Sequence, residues 1–449
     1  GYNPIKVSQA YYCEDPFLNQ LGVNPVFNLL TSTLDDNRKE NRTLHLMSEE
    51  DALSKVQKYL HRQGIDRLSP IARKVEREGT PNRRNVVLVF MESMSANLMG
   101  TFGSDKKLTP YLDSLYQQSL SFSHFYSSGI HTNHGIYSTL YSFPAIMKRN
   151  AMKGSVIPVY SGLPTVLQEN GYCNLFFMTH ESQYDNMNAF LRTNGFDEIY
   201  AQENYPSEKV VNSFGVQDDF MYQYALPILN ERAGTGNPFF CVLLSISNHP
   251  PYVIPPYFHP HSDVLEEQIV EYADWSIRQF MQAAEKQPWF DNTIFVFLGD
   301  HGKMVGTPEC EMPQSYNHIP LMIYGKDIKP GVYDGFGGQV DVSPTLLGLL
   351  NISYLQNNFG VNLLEEERPC MFFTADNLIG ARDSVNMFIY SPDSQQEFKY
   401  KLEEGKLHAA TGTDEEAFRN LKDYCFSMLQ STESLVKEHK TLDKVSVKK

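Results

Sequence analysis

"NVVLVFM", residues 85–91, is an almost unbroken apolar run that ends against the carboxylate of Glu92. A continuous run, rather than an alternating one, suits a β-strand covered on both faces. The same kind of run recurs in "CNLFFM" (173–178), "PFFCVLLSIS" (238–247), "TIFVFLG" (293–299) and "PLMIYG" (320–325). Between these runs lie segments with helical spacing. They are "LTPYLDSLYQQSL" (through Leu112, Leu115 and Leu120), "LPTVLQENG" (163–171), "DDFMYQYALPILNE" (218–231) and "LEEQIVEYADWSIRQFMQAAEKQ" (265–287). Strand and helix in alternation imply right-handed parallel crossovers. The expected fold is therefore α/β, a mostly parallel central sheet sandwiched by helices.

Beyond about residue 360 the rhythm changes. "CMFFTAD", "NMFIYS" and "FKYKLEEGKLHAA" read as hairpin strands closed by a helix near 414–438, a small C-terminal antiparallel α+β unit. Ahead of the first run, "NPVFNLLTSTL" (24–34) and "SEEDALSKVQKYLHRQG" (48–64) read as two helices, the second with Ser48 as N-cap. The expected organisation is a helical lead-in over 1–80, a catalytic domain over 81–355, and a C-terminal subdomain over 356–449 packed upon it.

The 449 residues carry a net charge of −15, which argues against a nucleic-acid groove. A polyanionic substrate would need a local positive site such as a metal. No run of about 18 apolar residues spans a bilayer, and "GYNPIK" does not open a signal peptide. The six cysteines form no C-x-x-C pair, so neither a zinc knuckle nor a disulfide scaffold is indicated.

In open α/β sheets, ligands bind beyond the carboxyl ends of the strands. Four runs lead there into an acid or a histidine: Glu92, His180, Asn248 with His249, and Asp300 with His301. Singly, each has an ordinary explanation, a turn or a loop hydrogen bond. Their convergence on one edge is what points to chemistry. Carboxylates and imidazoles without cysteine suit Mn²⁺, Mg²⁺ or Zn²⁺. A reacting group is offered by Thr132 in "SSGIHTNHGIYSTLYSF", just before Ile136 and Leu140 at helical spacing. A helix N-terminus favours a phosphate or an alkoxide, although position alone would favour a plain N-cap.

At these residues the sequence resembles the alkaline phosphatase/sulfatase superfamily, within it the lipoteichoic acid synthase-like and phosphoglycerol transferase branch. The matching stretches are "NVVLVFMESMS", "TPYLDSL", "GIHTNHGIYSTL", "YDNMNAFLRTNGFDEIY", "SISNHPPY", "FVFLGDHG", "YNHIPLMIYG" and "GGQVDVSPTLLGLLNI", in the expected order over roughly 85–352. "NPVFNLL" is similar to the segment preceding the catalytic domain in that branch. The resemblance implies that Glu92, Asp300 and His301 are metal ligands and that Thr132 is both ligand and nucleophile. It implies substrate contacts for His249 and His180, and places Tyr184 near a tryptophan of some members. Where the synthases often carry a basic residue, this chain reads Tyr184-Asp185-Asn186-Met187-Asn188. His318 in "YNHIPL" is an additional candidate, as an extra ligand, a residue behind the ligands or a substrate contact. No cysteine stands in the C-x-[PA]-x-R context of a formylglycine sulfatase.

The function implied is metal-dependent transfer of a phosphoglycerol-type group through a phosphothreonine, from a lipid-linked donor to a glycan or polyol acceptor. One divalent cation, Mn²⁺ or Mg²⁺ ahead of Zn²⁺, would serve it. The expected setting is the extracytoplasmic face of a membrane, with anchoring through a segment outside this chain. The rivals are hydrolysis or phosphoethanolamine transfer at the same site, and a silent binding domain of the same fold.

Overall fold

The computed structural model describes residues 41–154, 156–411 and 415–444. Eight strands build the central sheet. They are β1 (Asn85–Met91), β2 (Leu120–Tyr126), β3 (Cys173–Met178), β4 (Glu198–Tyr200), β5 (Phe239–Leu244), β6 (Thr293–Gly299), β7 (Leu321–Tyr324) and β8 (Gly331–Gly338). Their order across the sheet is β8-β2-β7-β6-β1-β5-β3-β4. All pairings are parallel except those of β7, which runs antiparallel to both β6 and β2. The expected parallel crossover into "PLMIYG" is thus corrected. The connection from β6 to β7 holds only a one-turn helix, Gln314–Asn317, too short for a crossover, and the chain returns antiparallel.

Every residue of β1, β5 and β6 is buried. Each buried Val, Leu or Phe there contributes about 1.5–3 kcal/mol. Alternation divides β1 between two apolar layers: Val86, Leu88 and Phe90 face one, Val87, Val89 and Met91 the other. The first layer also takes helices α3 (Thr132–Tyr141), α4 (Leu163–Glu169), α5 (Met187–Thr193) and α8 (Val342–Leu349). The second takes α2 (Pro110–Gln118), α6 (Asp218–Ala233) and α7 (Leu265–Ala284). Helix α2 ends at Gln118, so Leu120, expected in the helix, opens β2 instead.

The C-terminal unit is a five-stranded antiparallel meander, β9 (Met371–Thr374), β10 (Ile379–Arg382), β11 (Asn386–Ser391), β12 (Gln396–Glu403) and β13 (Lys406–Ala409). Helix α9 (Glu415–Lys437) covers it, with Phe426 packed on Tyr390 at 4.8 Å between ring centroids. Helix α1 (Glu49–Tyr59) is N-capped by Ser48, whose Oγ accepts from the N–H of Asp51 at 3.1 Å. It packs on α9 through Tyr59 and Tyr424, 4.9 Å apart, and the 2.8 Å Lys55–Asp423 ion pair. The helix expected over 24–34, with its "NPVFNLL", lies outside the described residues. The C-terminal unit also reaches the main sheet. Arg368 forks onto Asp341 at 2.6–3.0 Å, and the Thr374 N–H donates to the Ser128 carbonyl at 2.8 Å. No helix among the described residues is long and apolar enough to cross a membrane.

Candidate active site

Register aligns the carboxyl ends of the central strands. Met91 stands opposite Gly299, so the next residues, Glu92 and Asp300, are abreast at the rim. Both continue the parity of Phe90 and Leu298, which face the layer containing α3. The pleat therefore aims both carboxylates at that helix. Helix α3 can approach because its fourth residue is Gly135, whose missing Cβ would otherwise lie 2.2 Å from the Asp300 carbonyl oxygen.

The two carboxylates are 1% and 0% exposed. Each has one oxygen fixed by the protein and one turned to its neighbours. Asp300 Oδ1 accepts from the N–H groups of Ser93 (2.9 Å) and His301 (2.7 Å). Ser93 Oγ donates to Glu92 Oε1 at 2.7 Å, and the Glu92 N–H donates to Ser245 Oγ at 2.9 Å. Ser93 makes both contacts from a left-handed conformation, φ +51°. Thr132 Oγ lies 2.8 Å from Asp300 Oδ2 and 3.4 Å from Glu92 Oε2. Thr132 is the first residue of α3, and its hydroxyl serves the carboxylates instead of capping the helix.

His301 closes the group, with Nε2 at 3.6 Å from Glu92 and 3.5 Å from Asp300. The potential ligand atoms of Glu92, Asp300 and His301 all lie within 4.8 Å of one another. Burial, together with the charge on Asp300, pushes the Glu92 carboxyl well above the usual carboxylate range. Among the described residues no Lys or Arg pairs with either acid within 4 Å. Two buried carboxylates, a bare imidazole nitrogen and a hydroxyl form a donor set that fits one divalent cation.

Three histidines share one device. His180 Nδ1 donates to the Glu181 carbonyl (3.0 Å), His249 Nδ1 to Pro250 (2.6 Å) and His301 Nδ1 to Gly302 (2.7 Å). A carbonyl can only accept, so each Nδ1 carries the proton and Nε2 is left for the site. His180 is 2% exposed, its Nε2 has no partner among the described residues, and burial lowers its pKa. Tyr184, 40% exposed, packs on His180 at 4.6 Å, and Phe214 bridges Tyr184 (6.1 Å) to His249 (4.3 Å). Asp185 anchors this wall to α3 by accepting from Asn133 Nδ2 at 3.3 Å, and it pairs with Lys153 at 3.4 Å.

His318 is not brought to this group. Its Nε2 is engaged by the Ser123 carbonyl at 2.8 Å, and its ring stacks on Tyr126 at 5.3 Å and edges onto Phe102 at 5.2 Å. Burial drives its pKa down to about 4, so it stays neutral. It stands in the packing between strands β2 and β7 and their neighbours, not at the site. Four residues at or beside the site were not singled out from sequence: Ser93, Asn133, Phe214 and Lys303, whose Nζ donates to Asn248 Oδ1 at 2.7 Å. Lys303 follows the Asp-His-Gly turn directly and was legible by position; Phe214 sits in a loop with no pattern to mark it.

A family model described as Sulfatase matches residues 84–352. The lipoteichoic acid synthase-like protein YvgJ of Bacillus subtilis is 24% identical over 362 residues, 73% of this chain and 56% of its own length. A Staphylococcus aureus lipoteichoic acid synthase is 23% identical over 400 residues, 78% of this chain and 58% of its own. The chain thus spans little more than half the length of these curated relatives. Among solved structures, an alkaline phosphatase superfamily protein from Vibrio parahaemolyticus superposes with a TM-score of 0.79 at 25% identity, covering 88% of this chain and 97% of that one. The lipoteichoic acid synthase LtaP of Listeria monocytogenes superposes at 0.67 and 21% identity, covering 86% and 98%. With the family model covering more than half of its residues, this chain belongs to the sulfatase family, in the alkaline phosphatase superfamily.

Proposed function

We propose that this domain is a phosphotransferase that moves a phosphoglycerol-type group from a lipid-linked donor to a glycan or polyol acceptor. The observation that carries the reading is Thr132 Oγ at 2.8 Å from Asp300 and 3.4 Å from Glu92, on the first residue of a helix. The curated relatives named as lipoteichoic acid synthases support it. In this reading residues 81–355 form the catalytic unit, 356–449 brace it behind a lead-in over 1–80, and the domain works at an extracytoplasmic membrane surface.

Glu92, Thr132, Asp300 and His301 would hold one divalent cation, and the oxygen-rich set suits Mn²⁺ or Mg²⁺ ahead of Zn²⁺. Bound there, it lowers the pKa of the threonine hydroxyl and neutralises charge on a phosphate oxygen. Thr132 would give its hydroxyl proton to solvent when the cation binds; its deprotonated Oγ then attacks phosphorus, the Oγ–P bond forms, and the bond from phosphorus to the lipid alcohol breaks, the same deprotonated Oγ being released in the second transfer. His249, protonated at Nε2, gives its proton to the departing alkoxide. His249 Nε2, now bare, takes the proton of the acceptor hydroxyl as its oxygen attacks phosphorus from the side the lipid left. The P–Oγ bond breaks and Thr132 is regenerated. His180 Nε2, a buried acceptor, binds a hydroxyl of the glycerol. Water in place of the acceptor would make the same site a diesterase.

The test is incubation with phosphatidylglycerol vesicles and Mn²⁺, with and without a polyol acceptor. Diacylglycerol release and a glycerophosphoryl adduct on Thr132, read by peptide mass spectrometry, are expected, and Thr132→Ala should lose both while melting within a few degrees of wild type. A Thr132→Ala variant that turns over normally ends the proposal.

A further inference from the structure

Lys303 lies two residues beyond His301, half-buried, with Nζ donating to Asn248 Oδ1 at 2.7 Å and standing 5.6 Å from the centre of the Tyr252 ring. No carboxylate lies within 4 Å of it among the described residues, and Glu266 and Glu92 act on it only from further off. Elsewhere on this acidic chain lysines do find acids: Lys55 with Asp423, Lys106 with Glu267, Lys326 with Asp291. An ammonium drawn out of water without a counter-ion is costly. Such a charge persists where something else neutralises it.

The ammonium is also aimed. Asn248 is 1% exposed, and its Nδ2 donates to the Ser93 carbonyl at 3.2 Å. That bond fixes the amide, because a flip would face oxygen to oxygen and put the NH₂ against the ammonium. Ser93 in turn holds Glu92 through its hydroxyl and Asp300 through its N–H. Two side chains therefore tie Lys303 to the same turn that sets both acids. Lys153, by contrast, is committed to Asp185, and the segment 184–188 offers no basic residue of its own.

We propose that Lys303 is a substrate-binding residue whose ammonium takes an oxygen of the substrate phosphodiester, with Asn248 as its positioning residue. The assignment rests on the phosphotransfer reading of this site. One ammonium N–H is spent on Asn248, and the others are available to the anion. The phosphate is then held by the cation's ligands on one side and by Lys303 on the other, and removing either weakens binding by a separable amount.

The experiment uses the full chain loaded with Mn²⁺, with inorganic phosphate as the probe in calorimetric titration and phosphatidylglycerol turnover as the second readout. Lys303→Met should weaken phosphate binding and raise KM about tenfold or more, the scale of one charge-assisted hydrogen bond. Mn²⁺ affinity should stay within about threefold. The variant should melt at or above wild type, because an unpaired buried charge has been removed. Lys303→Arg should recover part of the phosphate affinity. Asn248→Asp, which supplies a counter-ion but sets an oxygen against the Ser93 carbonyl, should lower phosphate affinity. Unchanged phosphate affinity and KM in Lys303→Met would overturn the assignment, as would a lower melting temperature with collapsed Mn²⁺ affinity in both Lys303 variants. If wild type binds phosphate and Lys303→Met does not, yet neither turns over the lipid, the transfer reading falls and this one stands. Normal turnover in wild type and Lys303→Met alike does the reverse.

Discussion

Gly135→Ala sets two physical effects against each other with opposite signs. Helix propensity alone predicts a gain of about 1 kcal/mol, since Gly135 lies inside α3. Packing predicts a loss. The new Cβ would stand 2.2 Å from the Asp300 carbonyl oxygen, where ordinary contact begins at 3.4 Å. The carbonyl cannot swing aside freely, because Gln339 Nε2 donates to it at 2.8 Å and to the Gly299 carbonyl at 3.1 Å. Helix α3 must instead retreat by about 1 Å, at a cost of about 1–3 kcal/mol for overpacking. That retreat carries Thr132 Oγ away from Asp300 Oδ2, now 2.8 Å off. A displacement of about 1 Å at a reacting group costs on the order of 100-fold in rate. The variant should therefore melt below wild type, bind Mn²⁺ more weakly and lose about two decades of turnover. Gly331→Ala is the control, because nothing lies within 4 Å of a Cβ built there. It should change stability by less than about 0.5 kcal/mol. A Gly135→Ala protein that melts above wild type with normal turnover would show that the close approach does not position the nucleophile.

Glu92→Gln tests the electrostatics of the site in the presence of chelator. Burial and Asp300 raise the Glu92 carboxyl above its ordinary value of 4.5, so the folded state binds that proton more tightly than the unfolded chain. Its contribution to stability is full below that ordinary value and is lost as pH rises through the folded one. With chelator present, thermal melts should therefore place Glu92→Gln above wild type at about pH 8, with the gap closing towards the ordinary value; Mn²⁺ should stabilise wild type and not the variant. Arg368→Met should cost about 3–5 kcal/mol in urea unfolding, because Asp341, 0% exposed, loses its ion-pair partner; a change below about 1 kcal/mol would mean the pair does not join the C-terminal unit to the sheet.

The parts of the fold visible in sequence were those whose burial is symmetrical. Runs β1, β3, β5, β6 and β7 are apolar on both faces, and each could be read as a strand. Three strands gave no such signal. In β2, "LSFSHFY" mixes serine and histidine into a partly exposed run; β8, "GVYDGFGG", is a glycine-rich edge; β4 is three residues long. Direction was illegible in β7, because apolarity does not encode it. The clue was the stretch "GKMVGTPECEMPQSY" ahead of it, which has no helical spacing and cannot make a crossover. At the site, Glu92 and Asp300 stood out as charges abutting buried runs. Thr132 was separable from a plain N-cap only through the family resemblance, since nothing local says where its hydroxyl turns. The Asn248–Lys303 contact and the Phe214 bridge depend on residues brought together from distant segments. His318 looked like the other histidines in sequence, and its neighbours Tyr126 and Phe102 decided otherwise.

The three clamped histidines explain how an acidic protein could take an anionic substrate. With Nδ1–H spent on the following residue's carbonyl, His180 and His301 each present a lone pair, which attracts a cation or a hydroxyl and not a phosphate. Glu92 and Asp300 add negative charge in a buried setting where it is weakly screened. On the proposed reading, a phosphate would meet two acids and a net chain charge of −15 at a site without its divalent cation. On the same reading, a bound cation would neutralise both acids and use the lone pair of His301, making the charge facing the pocket more positive. Cation and phosphate binding must then be coupled, and by linkage each strengthens the other by the same factor. On that reading the expected order of addition is cation first, anionic substrate second.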